Sequence, residues 1–88
     1  RAVKVMISGE VQGVGFRSFV KRKARSKDVK GYVKNLPSGE VEAFFQGQEE
    51  AINEMIELVK EGPSMSSVND VDVQEREPQD YNSFEVAF

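Results

Sequence analysis

The chain has 88 residues, 39% apolar and 31% charged, with a formal net charge of −3 and neither histidine nor cysteine. That length and apolar share predict one domain over residues 1–88 with a single modest core. The acidic balance argues against a dedicated nucleic-acid binder, and the lack of cysteine excludes disulfides and thiol chemistry.

"AVKVMIS" alternates, with Val3, Val5 and Ile7 on one face and Lys4, Met6 and Ser8 on the other, which predicts a β-strand. "GEVQGVGFR" follows, three glycines in nine residues. From Phe16, apolar positions Phe16, Phe19, Val20 and Ala24 recur at helical spacing, leaving Lys21, Arg22 and Arg25 for solvent. "VKGYVKN" alternates again (Val29, Gly31 and Val33 on one face), and "EVEAFFQG" turns Val41, Ala43 and Phe45 inward. The intervening "LPSG" closes the two into a hairpin. "EEAINEMIELVKE" sets Ile52, Met55, Ile56 and Val59 on one stripe, and Gly62-Pro63 stops that helix. "VNDVDVQ" and a short "SFEVAF" complete the chain as strands. The order βαββαβ predicts a ferredoxin-like α+β sandwich, an antiparallel sheet with two helices on one face. No apolar run approaches the ~18 residues of a membrane span, and "RAVKVMISG" lacks a signal-peptide core. A cytoplasmic, monomeric protein without membrane or nucleic-acid partners is the expectation.

Charge is unevenly spread. Residues 1–35 hold ten Lys/Arg and two acids, a net +8, while residues 36–88 hold two Lys/Arg and thirteen acids, a net −11. The basic half either presents a local anion-attracting surface or is the solvated face of one helix weakly attracted to the other.

Without His or Cys there is no nucleophilic triad, phosphohistidine or cysteine-phosphatase chemistry, and almost no zinc site. Asp70 and Asp72 project from one strand face, but the further ligands of a calcium loop are missing, so they read as solvated strand. The glycine stretch is the stronger lead. Gly13 and Gly15 permit positive φ, and the loop leads into a helix N-terminus whose backbone N–H groups lack intrahelical acceptors. Free N–H groups at the positive end of a helix dipole bind anions, and Arg17 adds a planar fork suited to phosphate oxygens. The spelling is neither a Walker loop nor Gly-x-Gly-x-x-Gly, and it equally serves a tight strand-to-helix turn. Asn35 ends a strand beside the hairpin, where it is either a turn-former or, in a chain without His or Cys, one of few groups able to orient a water.

These two segments resemble the acylphosphatase family. "GEVQGVGFR" reads Gly-x-Val-Gln-Gly-Val-x-Phe-Arg, and "GYVKNLPSGEVEAFFQG" reads Gly-aromatic-Val-x-Asn with a later Gly-x-Val and a closing Gly. The separation of Arg17 from Asn35 is also the family's. The resemblance implies hydrolysis of the carboxyl–phosphate bond of acylphosphates by a stand-alone, metal-independent enzyme without cofactor. Inorganic phosphate would then be product and competitive inhibitor. It further implies that Gln12, Gly13, Val14, Gly15, Phe16 and Arg17 form the phosphate loop, with Arg17 on the phosphoryl oxygens and Asn35 holding the attacking water. One departure is Lys27-Asp28-Val29, where the family commonly has Leu-Gly before an apolar residue; Asp suits a left-handed helix end less well than Gly. The rival expectation is a non-catalytic phosphate- or RNA-binding module of the same fold, whose RNA form would expose aromatics such as Phe44 on the sheet. A further rival is a carbamoyl-phosphate-handling part of a larger maturation enzyme, less favoured because Phe88 has no zinc-finger continuation after it.

Overall fold

Val3, Val5 and Ile7 are fully buried while Lys4, Met6 and Ser8 are only partly so, and this period-2 contrast gives the first strand its two faces. The computed structural model describes residues 1–88. In chain order the elements are β1 (Ala2–Glu10), α1 (Phe16–Ser26), β2 (Lys30–Asn35), β3 (Val41–Gln46), α2 (Glu49–Glu61), β4 (Ser67–Arg76) and β5 (Phe84–Val86). The sheet order is β4-β1-β3-β2-β5. β3 lies between β1 and β2 and is antiparallel to both, and β4 is antiparallel to β1. This is the expected ferredoxin-like arrangement, with one correction. β5 pairs parallel with β2, Gly31 opposite Phe84 and Val33 opposite Val86, so the sheet is mixed. The crossing segment after β4 carries the chain to the far edge, where β5 runs with β2.

The inward residues of the sheet meet Phe16, Val20 and Ala24 of α1 and Ile52, Met55, Ile56 and Val59 of α2 in one core. Phe84 of β5 stacks on Phe45 with ring centroids 6.0 Å apart, which anchors the short edge strand. On the outer face Phe44 is 6% exposed, because Tyr32 and Tyr81 cover its ring at centroid distances of 6.0 and 5.2 Å. The aromatic that an RNA-binding sheet would present is therefore already packed.

The helix ends follow the local residues. α2 stops at Gly62, whose N–H donates to the Leu58 carbonyl at 2.8 Å. α1 ends in a Schellman motif: Val29 N–H donates to Ala24 O at 2.9 Å and Asp28 N–H to Arg25 O at 3.3 Å. Asp28 takes φ 57°, the left-handed residue of that motif and the one non-glycine with positive φ in the chain. Attraction between the helices is slight. One ion pair bridges this region, Lys27 to Glu54 at 3.3 Å, leaving Lys21, Arg22 and Lys23 without an acidic partner.

Candidate active site

β1 delivers the chain into residues 11–15, and Gly13 and Gly15 both adopt left-handed φ, 75° and 78°. A Cβ at either would meet nothing within 4 Å, so these glycines are required by backbone conformation and leave the surface of the loop open. Gly15 is the N-cap of α1 and offers no side chain to cap it. The first helical hydrogen bond is Phe19 N–H to Gly15 O at 3.0 Å, and the backbone N–H groups of Gln12 to Ser18 donate to no acceptor in the protein. Unpaired donors at a helix start, with no acidic residue in the first turn, create a local positive potential.

Asn35 reaches the same place from the opposite side. It is the last residue of β2, paired with Val41 across the hairpin, and it lines a small cleft of about 90 Å³. The other lining residues are Val11, Gly13, Gly15, Phe16, Arg17 and Ser18. One cation and no carboxylate face this space. Arg17 has no acidic partner; its guanidinium carbon sits 5.4 Å from the centroid of the Phe88 ring. The Oδ1 of Asn35 is the one buried side-chain polar atom in the protein without a hydrogen-bond partner. Leaving such an acceptor unpaired costs ~1–3 kcal/mol, so its retention calls for an explanation.

The sequence-predicted residues divide by position. Gly13, Gly15, Phe16, Arg17 and Asn35 come together around the cleft, whereas Gln12 and Val14 do not line it. Val14 packs against the edge of the core. The Gln12 side chain spends its amide on the hairpin, donating through Nε2 to Leu36 O at 2.8 Å and Glu40 O at 2.9 Å. Sequence reasoning missed Val11 and Ser18 as lining residues and Phe88 as the neighbour of Arg17. Ser18 carried a usable signal, being a hydroxyl residue in the first turn of the helix. No group of three or more His, Cys, Asp or Glu residues that could hold a metal ion occurs in the structure.

The fold and this cleft define a ferredoxin-like α+β domain with an anion-favouring pocket between its first loop and the β2–β3 hairpin. The acylphosphatase family profile matches residues 3–86. An Acylphosphatase from Archaeoglobus fulgidus is 46% identical over 87 residues, spanning 99% of this chain and 98% of its own. The crystal structure of acylphosphatase from Bacillus subtilis superposes with a TM-score of 0.95 at 35% identity, covering 99% of this chain and 98% of that one. Full-length HypF in its phosphate- and nucleotide-bound form contains a similar unit, at a TM-score of 0.89 and 33% identity, which covers 99% of this chain and 12% of HypF. The chain belongs to the acylphosphatase family, and hydrolysis of acylphosphates is the activity that goes with that membership.

Proposed function

We propose that acylphosphate hydrolysis takes place in the cleft between the glycine loop and Asn35, in a monomeric, cytoplasmic enzyme that needs no metal. The observation that carries this reading is the orphaned Oδ1 of Asn35, buried beside free backbone N–H groups and Arg17. Phosphoryl transfer asks a protein chiefly for positioning and charge stabilisation, which N–H dipoles and a guanidinium supply. The N–H groups of the loop and the Arg17 fork hold the non-bridging phosphoryl oxygens. A water donates one hydrogen to Asn35 Oδ1, which turns its lone pair toward phosphorus.

The water oxygen then forms the new P–O bond as the bond between phosphorus and the acyl oxygen breaks. The acyl group departs as carboxylate, a good leaving group that needs no general acid. The water's proton passes to a phosphoryl oxygen, so the absence of histidine is no obstacle. Products are one carboxylate and one inorganic phosphate, which carries both hydrogens of the water.

The deciding experiment is phosphate release from acetyl or benzoyl phosphate in the presence of a metal chelator. Turnover inhibited competitively by inorganic phosphate is expected. Phosphate binding without turnover would instead identify a non-catalytic module.

A further inference from the structure

Ser18 lines two concavities. One is the cleft just described; the other is a groove of about 350 Å³ formed by Ser18, Lys21, Arg22, Arg25 and Val86. Residues 18, 21, 22 and 25 stand at i, i+3, i+4 and i+7, so they form one face of α1 leading away from the cleft. α1 contains no acidic residue at all. Like charges at these spacings destabilise a helix, and here nothing on the helix offsets them.

The three cations of the groove are not equivalent. Arg25 is already engaged, its Nε donating to Phe84 O at 3.0 Å and its guanidinium lying 3.3 Å from the Glu85 carboxylate. Lys21 and Arg22 have no acidic partner within 4.0 Å. Neither is needed to hold a phosphoryl group in the cleft. From Ser18 to Arg22 the helix rises about 6 Å, roughly the extended length of a succinyl group from its acyl oxygen to its distal carboxylate oxygen.

We propose that Lys21 and Arg22 form a second anion subsite, which selects acylphosphates whose acyl group carries a further anionic group at its far end. The inference rests on the phosphoryl group occupying the neighbouring cleft. The acyl chain then passes Ser18 into the groove, where the Lys21 ammonium and the Arg22 fork meet the distal charge.

The test compares succinyl phosphate, with a distal carboxylate, against butyryl phosphate, of the same chain length but uncharged there. The wild type should favour succinyl phosphate in kcat/KM. Lys21→Gln and Arg22→Gln should each lower the succinyl-to-butyryl ratio roughly three-fold, and together up to about ten-fold, as exposed charge pairs do. Lys21→Arg should keep the ratio. Lys23→Gln removes a cation that lies over the Phe19 ring and outside the groove, and should leave the ratio unchanged. Equal loss in Lys23→Gln would reduce the effect to general attraction and overturn the subsite. A ratio unmoved in Lys21→Gln and Arg22→Gln would overturn it as well. Failure of the wild type to hydrolyse either acylphosphate would refute the proposed hydrolysis in the cleft, and the subsite with it.

Discussion

The Nε2 of Gln12 donates to the carbonyl oxygen of Leu36 at 2.8 Å, tying the glycine loop to the residue that follows Asn35. The same nitrogen donates to Glu40 O at 2.9 Å, so one amide bridges the two ends of the turn between β2 and β3. Gln12 and Leu36 stand 24 positions apart in the chain, and this amide sets the spacing of the two halves of the cleft. Under the proposed function Gln12 acts as a positioning residue. Gln12→Ala should lose about 1–2 kcal/mol of stability from two partly buried hydrogen bonds. The kcat on acetyl phosphate should fall roughly 10- to 100-fold, as small misplacements at a reacting centre do. Inhibition by phosphate, which on the proposed reading needs only the loop and Arg17, should weaken less. A stability loss with kcat intact would reduce Gln12 to a hairpin clasp.

Asn35→Ala separates binding from chemistry. The loop N–H groups and Arg17 remain, so phosphate affinity should stay within a few-fold of wild type. Losing one positioned polar group at a reacting centre should lower kcat by ~10²–10³. The variant also removes a buried acceptor without a protein partner, so its thermal stability should be equal to or above wild type. Retention of most of kcat would end the water-holding role.

Arg17→Lys keeps the charge and removes the fork. A bidentate guanidinium contact is not reproduced by an ammonium, so phosphate affinity and kcat should fall together. Loss of a charge-assisted bond of ~1.5–3 kcal/mol corresponds to roughly 10- to 100-fold in the inhibition constant. Near-normal phosphate inhibition in Arg17→Lys would show that only the charge matters.

What could be read from the chain was what depends on neighbours in sequence. The inward faces of Val3, Val5 and Ile7 and of Val41, Ala43 and Phe45 follow from a two-residue period, and the α2 stripe from Ile52 to Val59 from a helical one. That Gly13 and Gly15 permit positive φ could be read from their missing Cβ, and both adopt it. The site residues became legible as a set only through family resemblance, since nothing local brings residue 35 beside residue 17. The parallel docking of β5, the Gln12 clasp and the approach of Phe88 to Arg17 are long-range pairings with no local signature. Ser18 differs, because its place in the first helical turn was visible and its relation to two concavities was not.

Asp28 gives a stability test remote from the chemistry. It holds the left-handed position of the helix end at φ 57°, and its side chain is an exposed partner of Lys30 at 3.1 Å. That surface pair contributes little. Asp28→Gly should raise stability by about 0.5–1 kcal/mol, a few degrees in Tm for a domain of this size. Asp28→Ala, which keeps a Cβ and loses the polar side chain, should not raise it. The kcat should be unaffected in both, because the position lies beyond the far end of α1 from the cleft. A lower Tm for Asp28→Gly would mean that the ion pair outweighs the backbone strain.

On the outer face of the sheet, Glu42 is the one buried charged residue, accepting from the Tyr32 hydroxyl and lying 3.7 Å from both Lys4 and Lys34. Burial works against its ionised form, but the Tyr32 hydrogen bond and then the two ammonium groups outweigh it, holding the carboxyl below its usual range. Burial, and then the Glu42 carboxylate, push the Tyr32 phenol well above its ordinary value, so it remains a donor throughout. A carboxyl with a depressed folded pKa stabilises the fold above its unfolded pKa of about 4.3, and this contribution fades as pH falls through the lower folded value. Tyr32→Phe keeps the ring against Phe44 and removes the donor. At pH 7 it should cost about 1.5–3 kcal/mol, the range for a hydrogen bond to a charged group. The gap between wild type and variant, measured by urea unfolding, should hold from pH 7 down to about pH 5 and narrow below the unfolded pKa. A gap of the same size at pH 3 and pH 7 would assign the loss to packing and leave the Glu42 charge without a part in it.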